Sequence, residues 1–389
     1  MKILYATYRY DPTNPDLGSS VDYGCYKALI DAGNSVEIIG PVTHGVSIFE
    51  KFETYFWRIY KHLTGKSGLK YLMTTSLKAS NAVAKAMKNG DFDAVFSIFH
   101  AFFVFRRLSE MSFWFFDTTF HGQEEDWPMY GKLALKLTYW QERKALQHID
   151  ACATNSEWSK KQLVDFYGLK GKQVTVFPMP SALPVEAVRT LDQEVLTKQL
   201  THPIRILLVG RVFKRKGVDI ALEVVRLLNA QGIPTLLKIC GLPESERQAW
   251  DNVEFVGPFK KSDPDQLDAY IDLYQWAHLL IHPARFEAAG IVPAEAAAFG
   301  TPTITNNTGG LGTSVLDGVS GIVLPKGSPP EAYVQAIIDL VNDPERYQRL
   351  CQTTRERYEK ELNWDVAGKR LVTILEEAVR EHKNKHIKG

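Results

Sequence analysis

The chain has 389 residues, of which 45% are hydrophobic and 23% charged, fractions typical of a soluble globular protein long enough for two or three domains. Its 46 lysines and arginines nearly balance 45 aspartates and glutamates, and a net charge of +1 argues against nucleic acid as the main partner, since nucleic-acid-binding domains usually carry a strong basic excess. The four cysteines lie far apart and there is no long apolar run, so we expect neither a disulfide framework, a cysteine zinc site nor a membrane-spanning helix.

The N-terminus enters a short apolar strand directly, without the apolar region and small-residue cleavage site of a signal peptide. Scattered cysteines are also typical of a reducing compartment. We therefore expect a cytoplasmic protein.

Short apolar runs alternate with segments of helical period in the first half of the chain. This alternation indicates a parallel sheet covered on both faces, most simply a doubly wound α/β sheet with ligands at the carboxyl ends of its strands. A helix is predicted from Val21 to Ala32. The predicted strands are Ile3–Thr7, Val36–Ile39, Ala94–Ile98, Phe113–Phe116, Ile149–Ala153 and Val174–Phe177.

Residues 47–63 form an amphipathic segment rich in aromatic side chains. Ile48, Phe52, Tyr55, Ile59 and Leu63 fall on one helical stripe. Phe49, Phe56, Trp57 and Tyr60 widen this stripe, and Lys51, Arg58 and Lys61 surround it. Three interpretations stay open: a helix that meets a lipid surface, an aromatic-lined acceptor site, and a core helix with a solvated basic face.

The proline-rich stretch 177–184 interrupts the pattern, which then starts again. We predict an N-terminal Rossmann-like domain over 1–190, a linker over 191–203, a C-terminal Rossmann-like domain over 204–363, and a closing helix over 364–389 that packs back on the first domain. A cleft is expected between the two domains. The predicted elements of the second half are strands Ile204–Val209, Thr235–Cys240, Val253–Val256, Trp276–His282, Thr303–Thr305 and Gly321–Leu324, and helices from Val218 to Gln231 and from Val366 to about Glu381.

A basic loop follows the first strand of the second domain, from Gly210 to Gly217. Within it, Arg211 offers a planar fork for phosphate oxygens and Lys216 a compact point charge. The loop contains neither a phosphate-loop motif nor a G-x-G-x-x-G fingerprint. The alternative interpretation is a solvated basic turn.

Residues 283–300 combine a loop, a glycine and the start of a helix. Gly290 lets the backbone approach a ligand, and the free N–H groups of Gly290, Ile291 and Val292 at a helix N-terminus favour an anion. Glu287 lies in the loop and Glu295 eight positions later, in the helix. We expect both carboxylates to grip hydroxyl groups on either side of a phosphate site, although Glu295 alone could simply stabilise the helix end.

The combination of Gly210-Arg211, Lys216-Gly217, Phe286-Glu287-x7-Glu295 and Phe299-Gly300-x-Pro302 resembles glycosyltransferase family 4. The resemblance covers nearly the whole chain and is strongest over 204–325. It implies the GT-B fold, two Rossmann-like domains facing across a cleft, and a retaining transfer from a nucleotide diphosphate sugar. It also implies that no divalent metal and no cofactor is required.

The resemblance also implies roles for individual residues. Arg211 and Lys216 match the pair that neutralises the donor diphosphate, and Glu287 matches the acid that contacts hydroxyls of the donor sugar. Glu295 matches the acid that holds the ribose, and the backbone of 290–292 matches the phosphate-cradling turn. Gly241 lies where the family surrounds the base.

The N-terminal half departs further from the family pattern. Gly18 is the one glycine in a loop that often has two, and the Gly-Gly loop at 309–313 lacks the usual glutamate. His121, in Thr-Phe-His after a predicted strand, matches the family's active-site histidine better than His100 does, and Asp117 is a candidate for the acceptor hydroxyl.

His278 and His282 are four residues apart but fall on a predicted strand, so we predict no metal site.

The function expected from the resemblance is hexosyl transfer to a glycan, glycolipid or small hydroxyl acceptor, in a bacterial setting such as polysaccharide or envelope synthesis. The predicted location is the cytoplasm, with 47–63 offering a peripheral contact to the inner face of the membrane. Alternatives are a nucleotide-sugar epimerase or a phosphorylase of the same fold, or a non-catalytic nucleotide-sugar-binding subunit.

Overall fold

Two parallel β-sheets, each of six strands, form the framework of the protein. The computed structural model describes residues 1–17, 20–42, 47–189 and 198–387. The chain divides into an N-terminal unit, Met1–Phe177 with Gly368–Gly389, and a C-terminal unit, Pro178–Ala367. The predicted end of the first domain is residue 190, and most of the predicted linker, 191–197, lies outside the described residues.

The N-terminal unit is a doubly wound α/β domain with strand order β2-β1-β3-β4-β5-β6. Its strands are β1 (Lys2–Ala6), β2 (Ser35–Ile39), β3 (Ala94–Ser97), β4 (Met111–Phe116), β5 (Ala151–Thr154) and β6 (Val174–Val176). Its helices are α1 (Val21–Asp31), α2 (Ile48–Thr64), α3 (Met73–Asn89), α4 (Phe120–Asp126), α5 (Lys132–His148) and α6 (Glu157–Asp165), with 3₁₀ turns at His100–Phe102 and Gly171–Gln173.

The C-terminal unit repeats this architecture with strand order β12-β11-β10-β7-β8-β9. Its strands are β7 (Ile204–Val209), β8 (Thr235–Cys240), β9 (Val253–Val256), β10 (Leu279–His282), β11 (Thr303–Asn306) and β12 (Gly321–Leu324). Its helices are α7 (Val185–Arg189), α8 (Phe213–Lys216), α9 (Val218–Ala230), α10 (Pro264–Trp276), α11 (Ile291–Ala297), α12 (Leu311–Ser314), α13 (Pro330–Val341) and α14 (Pro344–Arg357), with short turns at Glu244–Glu246 and Tyr358–Leu362.

The predicted doubly wound sheets are confirmed, and their central strands are buried throughout. All six residues of β4 and all four of β10 are buried, as expected for parallel strands covered by helices on both faces. β7, β8, β9 and β12 have the predicted bounds.

One predicted strand, Trp276–His282, is wrong in its first three residues, because Trp276 ends α10. The Asp263 side chain caps this helix by accepting a hydrogen bond from the N–H of Gln266, and Pro264 opens it. The helix runs to Trp276, and Tyr270 and Tyr274 lie on its buried face. The apolar residues at 276–277 therefore belong to a helix end and a connection, and β10 starts at Leu279.

The last helix, α15 (Trp364–Ile387), extends further in both directions than the predicted Val366 to Glu381. From Gly368 onward it belongs to the N-terminal unit. There Lys383 pairs with Asp93 at 2.6 Å, and the His382 ring lies 2.9 Å from the Ser109 carbonyl oxygen.

Each sheet has one point where the strand order reverses, between β1 and β3 and between β7 and β10. Loops that leave the carboxyl ends of such neighbouring strands diverge and create a binding crevice.

Across the residues that the structure describes, none of the helices combines the length and the apolar character needed to span a bilayer.

Candidate functional site

Two loops meet at the reversal point of the C-terminal sheet, one after β7 and one after β10. Gly217 has a left-handed φ of 67°, and a Cβ atom at this position would lie 2.0 Å from the Pro283 carbonyl oxygen. The Arg285 N–H donates to the Arg215 carbonyl oxygen at 2.8 Å. Glycine at 217 therefore permits the close approach that brings the two loops together.

The approach creates a buried charge cluster around Glu287. Lys216 forms an ion pair with its Oε2, Arg215 Nη1 lies 3.5 Å from the same oxygen, and His282 Nε2 lies 3.4 Å away. The side chains of Lys216 and Glu287 are only 10% and 14% exposed. All three contacts are made to Oε2, and within the described part of the chain Oε1 has no hydrogen-bond partner.

Burial and charge act in opposite directions on this cluster. Burial by itself would raise the pKa of the Glu287 carboxyl, but the charge of Lys216, the contact with the His282 ring and the charge of Arg215 outweigh it and hold the pKa well below its ordinary value. Burial, helped by the charge of Lys216, lowers the pKa of His282. Near neutral pH the cluster therefore contains an ionised carboxylate, a lysine and an arginine cation, and a neutral imidazole.

α11 begins beside this cluster, with Gly290 as its N-cap at a φ of 76°. A Cβ atom at Gly290 would lie 2.6 Å from Ser314 Oγ, so a side chain does not fit there. The first N–H groups of a helix have no partner within the helix. Ile291 and Val292, the first two helical residues, therefore present amide donors next to the Glu287 loop.

Glu295 lies on α11 and is 1% exposed. Its Oε2 accepts hydrogen bonds from the hydroxyl groups of Tyr270 and Tyr274, each at 2.7 Å, and its Oε1 pairs with Lys261. The carboxylate is thus held by two tyrosines of α10. Among the described residues its charged partner is Lys261, which is 27% exposed.

The glycine loop after β11 supports the Glu287 backbone. The Gly310 N–H donates to the Glu287 carbonyl oxygen at 2.9 Å. Gly309 has a φ of 55°, and a Cβ atom there would lie 2.2 Å from the same oxygen. The loop that lacks the family's glutamate therefore still positions Glu287, through its backbone.

Replacing Gly309 by alanine is expected to destabilise the protein by about 2–5 kcal/mol, the sum of left-handed strain and the clash with Glu287. Gly327→Ala is the matched control, because Gly327 also has a positive φ, 77°, but a Cβ atom there meets nothing within 4 Å. Only left-handed strain, about 1–2 kcal/mol, should result. Urea denaturation measures the free energy of unfolding of both variants. Equal losses would show that the close approach to Glu287 does not contribute to stability.

Arg211 and Gly241 lie at the same sheet edge, after β7 and β8. Arg211 is exposed and makes no side-chain hydrogen bond or ion pair with the described residues. Gly241 has a φ of 98°, and a Cβ atom there would lie 3.3 Å from the Gly210 carbonyl oxygen. Of the two predicted diphosphate cations, the structure brings Lys216 into contact with Glu287 and leaves Arg211 pointing to solvent.

The predicted site residues of the N-terminal unit have different surroundings. Gly18 lies outside the described residues. The His121 ring stacks on Phe166 with centroids 3.6 Å apart. His100 is 2% exposed, and burial together with Lys70 lowers its pKa to about 3. Asp117 is exposed directly after β4, where its Oδ1 accepts a hydrogen bond from the Thr118 N–H at 2.8 Å. The role of His121 stays a prediction.

Two residues of the cluster, Arg215 and His282, are not among the predicted site residues. Arg215 lies in the predicted basic loop, but its position gives no reason to prefer it to Arg211. The sequence suggests His282 only as a possible metal ligand. It lies next to Glu287 because β10 ends there, and the strand–loop order could have indicated this. The described residues contain no group of three or more His, Cys, Asp or Glu arranged to hold a metal ion.

Known sequence families match both halves of the chain. The family described as Glycosyltransferase Family 4 matches residues 23–180, and the one described as Glycosyl transferases group 1 matches residues 192–357. A D-inositol 3-phosphate glycosyltransferase of Catenulispora acidiphila is 29% identical over 259 residues, 59% of this chain and 58% of that protein. Its counterpart in Salinispora tropica is 28% identical over 63% of this chain and 54% of that protein. The chain thus matches little more than half the length of these relatives.

Solved structures agree with this assignment at the level of the fold. A sucrose-phosphate synthase from Thermosynechococcus elongatus superposes with a TM-score of 0.68 at 18% identity, covering 97% of this chain and 98% of that one. Anabaena HepE in complex with UDP-glucose superposes with a TM-score of 0.60 at 13% identity, covering 97% and 100%. The superpositions, with the two Rossmann-like domains, show the GT-B fold. The two family matches together span most of the chain, which belongs to glycosyltransferase family 4.

Proposed function

We propose that this protein is a retaining glycosyltransferase that moves a hexose from a nucleotide diphosphate sugar to an acceptor hydroxyl. The observation that carries the proposal is the buried cluster of Lys216 and Glu287 at the reversal point of the C-terminal sheet, beside the N-terminus of α11. A cation, free amides and a carboxylate in one place suit a ligand that joins a diphosphate to a sugar.

In this proposal each group binds one part of the donor. Lys216 and Arg211 neutralise the diphosphate, together with the amides of residues 290–292. Glu287 uses Oε1, the oxygen without a partner among the described residues, to accept hydrogen bonds from hydroxyls of the sugar. Glu295 accepts hydrogen bonds from the ribose hydroxyls, which displace Lys261 from its carboxylate.

The chemistry follows from these roles. The bond between the anomeric carbon and the departing phosphate oxygen breaks, and the cations stabilise the negative charge that develops on the diphosphate. The acceptor hydroxyl attacks from the same face and passes its proton to the departing phosphate, so the anomeric configuration is retained. The leaving group is already acidic, and this scheme needs neither a general acid nor a divalent metal.

The proposed acceptor is a glycan, a glycolipid or a small hydroxyl compound. We propose that the enzyme works in the cytoplasm, peripheral to the inner face of the membrane, because a glycolipid acceptor would require such a location. Relatives named as D-inositol 3-phosphate glycosyltransferases make inositol phosphates a first group of acceptors to test.

Thermal denaturation in the presence of UDP, GDP, ADP and TDP tests the donor site. One nucleotide should raise the melting temperature, since a ligand at 100 times its Kd stabilises the native state by about 2.7 kcal/mol. UDP is the first to test, because HepE was solved with UDP-glucose. Incubation with the matching sugar donor alone should release sugar slowly with retained configuration, as monitored by NMR.

Three results would contradict the proposal. If no nucleotide stabilises the protein, the donor site is wrong. If donor alone is converted into an epimeric nucleotide sugar, the protein is an epimerase of the same fold. If a nucleotide sugar binds but is neither hydrolysed nor transferred to any of the acceptors tested, the protein is a non-catalytic subunit.

A further inference from the structure

Helix α2 (Ile48–Thr64) exposes a large apolar surface on the N-terminal unit. Ile48 and Leu63 are each 77% exposed, and Phe49 and Phe52 each 73%. Tyr55, Phe56 and Ile59 are also exposed. Single apolar side chains are normal on protein surfaces. A contiguous patch of large apolar side chains, as on this helix, is unusual and marks an interaction site. Of the three interpretations of this segment, the one that makes the stripe a core face is therefore wrong.

The other side of α2 holds the helix firmly in place. Trp57 is buried against Leu69, Leu72 and Ala134. Ser47 and Glu50 form a reciprocal capping box at the first turn. Glu53 accepts hydrogen bonds from the N–H groups of Met73 and Thr74, at 2.7 and 3.0 Å. The exposed surface thus belongs to an anchored helix.

The exposed residues form one continuous face. At about 100° per residue, the seven apolar side chains fall within an arc of about 120°. Lys51 and Arg58, with His62, lie along one border of that arc, and Lys61 lies beyond them. The two acidic residues of the helix, Glu50 and Glu53, both point inward and bond to the protein. The exposed charges of α2 are therefore all positive.

We propose that α2 lies in the plane of a membrane interface, with its apolar face inserted among the lipids and its cations on anionic headgroups. An amphipathic helix with aromatic and aliphatic residues on one face and lysine or arginine beside them is suited to such a surface. A glycan would gain little from Ile48, Ile59 and Leu63. A dimer formed through this face would place the cations of one helix, Lys51 and Arg58, near those of the other. Neither helix offers an acidic side chain to pair with them, because Glu50 and Glu53 bond inward.

This inference goes beyond the proposed transfer reaction and does not depend on it. Co-sedimentation of the full chain with vesicles tests it, using phosphatidylcholine alone and phosphatidylcholine mixed with phosphatidylglycerol. The protein should bind the anionic vesicles more tightly, and salt should weaken the binding. Phe52→Ser should weaken it about tenfold or more, since a buried phenylalanine contributes roughly 1.5–3 kcal/mol.

Matched variants separate the two parts of the interaction. Leu133→Ser is the control for lost apolar surface, because Leu133 is 43% exposed on α5, and it should bind like the wild type. Lys51→Glu with Arg58→Glu should reduce binding to anionic vesicles only. The melting temperature and donor hydrolysis in solution should be unchanged in all three, so that loss of membrane binding is distinguished from loss of the enzyme.

Two outcomes would overturn the proposal. One is equal vesicle binding by the wild type and Phe52→Ser. The other is a dimer in analytical ultracentrifugation that Phe52→Ser dissociates while the wild type ignores vesicles, which would identify a second copy as the occupant of this face.

Discussion

Replacing Lys216 by alanine is expected to lower kcat/KM for the donor by about 100-fold. A hydrogen bond to a charged group contributes roughly 1.5–3 kcal/mol, and each 1.36 kcal/mol of transition-state stabilisation is a factor of ten in rate. Lys216 is a strong candidate for such an effect because its side chain is only 10% exposed, so solvent screens its charge little. Initial rates of donor hydrolysis and of transfer measure the change.

The same substitution should also reduce stability, because it leaves Glu287 with Arg215 and His282 as its remaining partners. We expect a loss of about 2 kcal/mol, below the cost of a buried charge left with no partner at all. Lys214→Ala is the matched control. Lys214 lies two residues earlier on α8, pairs with Asp219 at 3.0 Å and is 69% exposed. Wild-type turnover in Lys216→Ala, or an equal loss in Lys214→Ala, would show that the cation site has been assigned to the wrong residue.

The second large effect is expected at Glu295. Glu295→Gln should preserve the hydrogen bonds from Tyr270 and Tyr274, since an amide oxygen accepts as a carboxylate oxygen does. It removes the charge, however, and should weaken nucleotide diphosphate binding by about 10- to 100-fold if the carboxylate holds the ribose hydroxyls. Calorimetric titration with the nucleotide that stabilises the protein measures this loss.

A 2′,3′-dideoxy analogue of that nucleotide separates the ribose role from a purely structural one. The analogue has no ribose hydroxyls, so its affinity should be the same for the wild type and Glu295→Gln. Tyr270→Phe serves as the control, because it removes one tyrosine hydroxyl and leaves the carboxylate in place. Should Glu295→Gln weaken both nucleotides equally, Glu295 acts by supporting α10 and α11 rather than by binding ribose.

The structure also explains how this site tolerates an unusual loop. The sequence after β11, Gly309-Gly310-Leu311-Gly312-Thr313, lacks the glutamate of the family pattern. Its glycines nevertheless contact the Glu287 backbone, through the Gly310 amide and the close approach at Gly309. In this chain the loop therefore supports Glu287 through its backbone, without a glutamate side chain.

Some features of this protein follow from its sequence alone. The bounds of β7, β8, β9 and β12 were predicted correctly, because a strand or helix depends mainly on apolar periodicity and turn residues within a short window. The basic loop after β7 and the Glu287–Glu295 spacing were visible for the same reason, since each lies within one strand–loop–helix segment.

Other features were decided by tertiary structure. Lys216 and Glu287 are separated by 71 positions and meet because β7 and β10 are adjacent in the sheet, an arrangement that no local pattern specifies. Likewise, the periodicity of α2 predicts that one face is apolar, but only its neighbours determine which side is covered. Trp57 faces the protein because Leu69, Leu72 and Ala134 lie there, and Phe52 is left in solvent because nothing in the described chain packs over it.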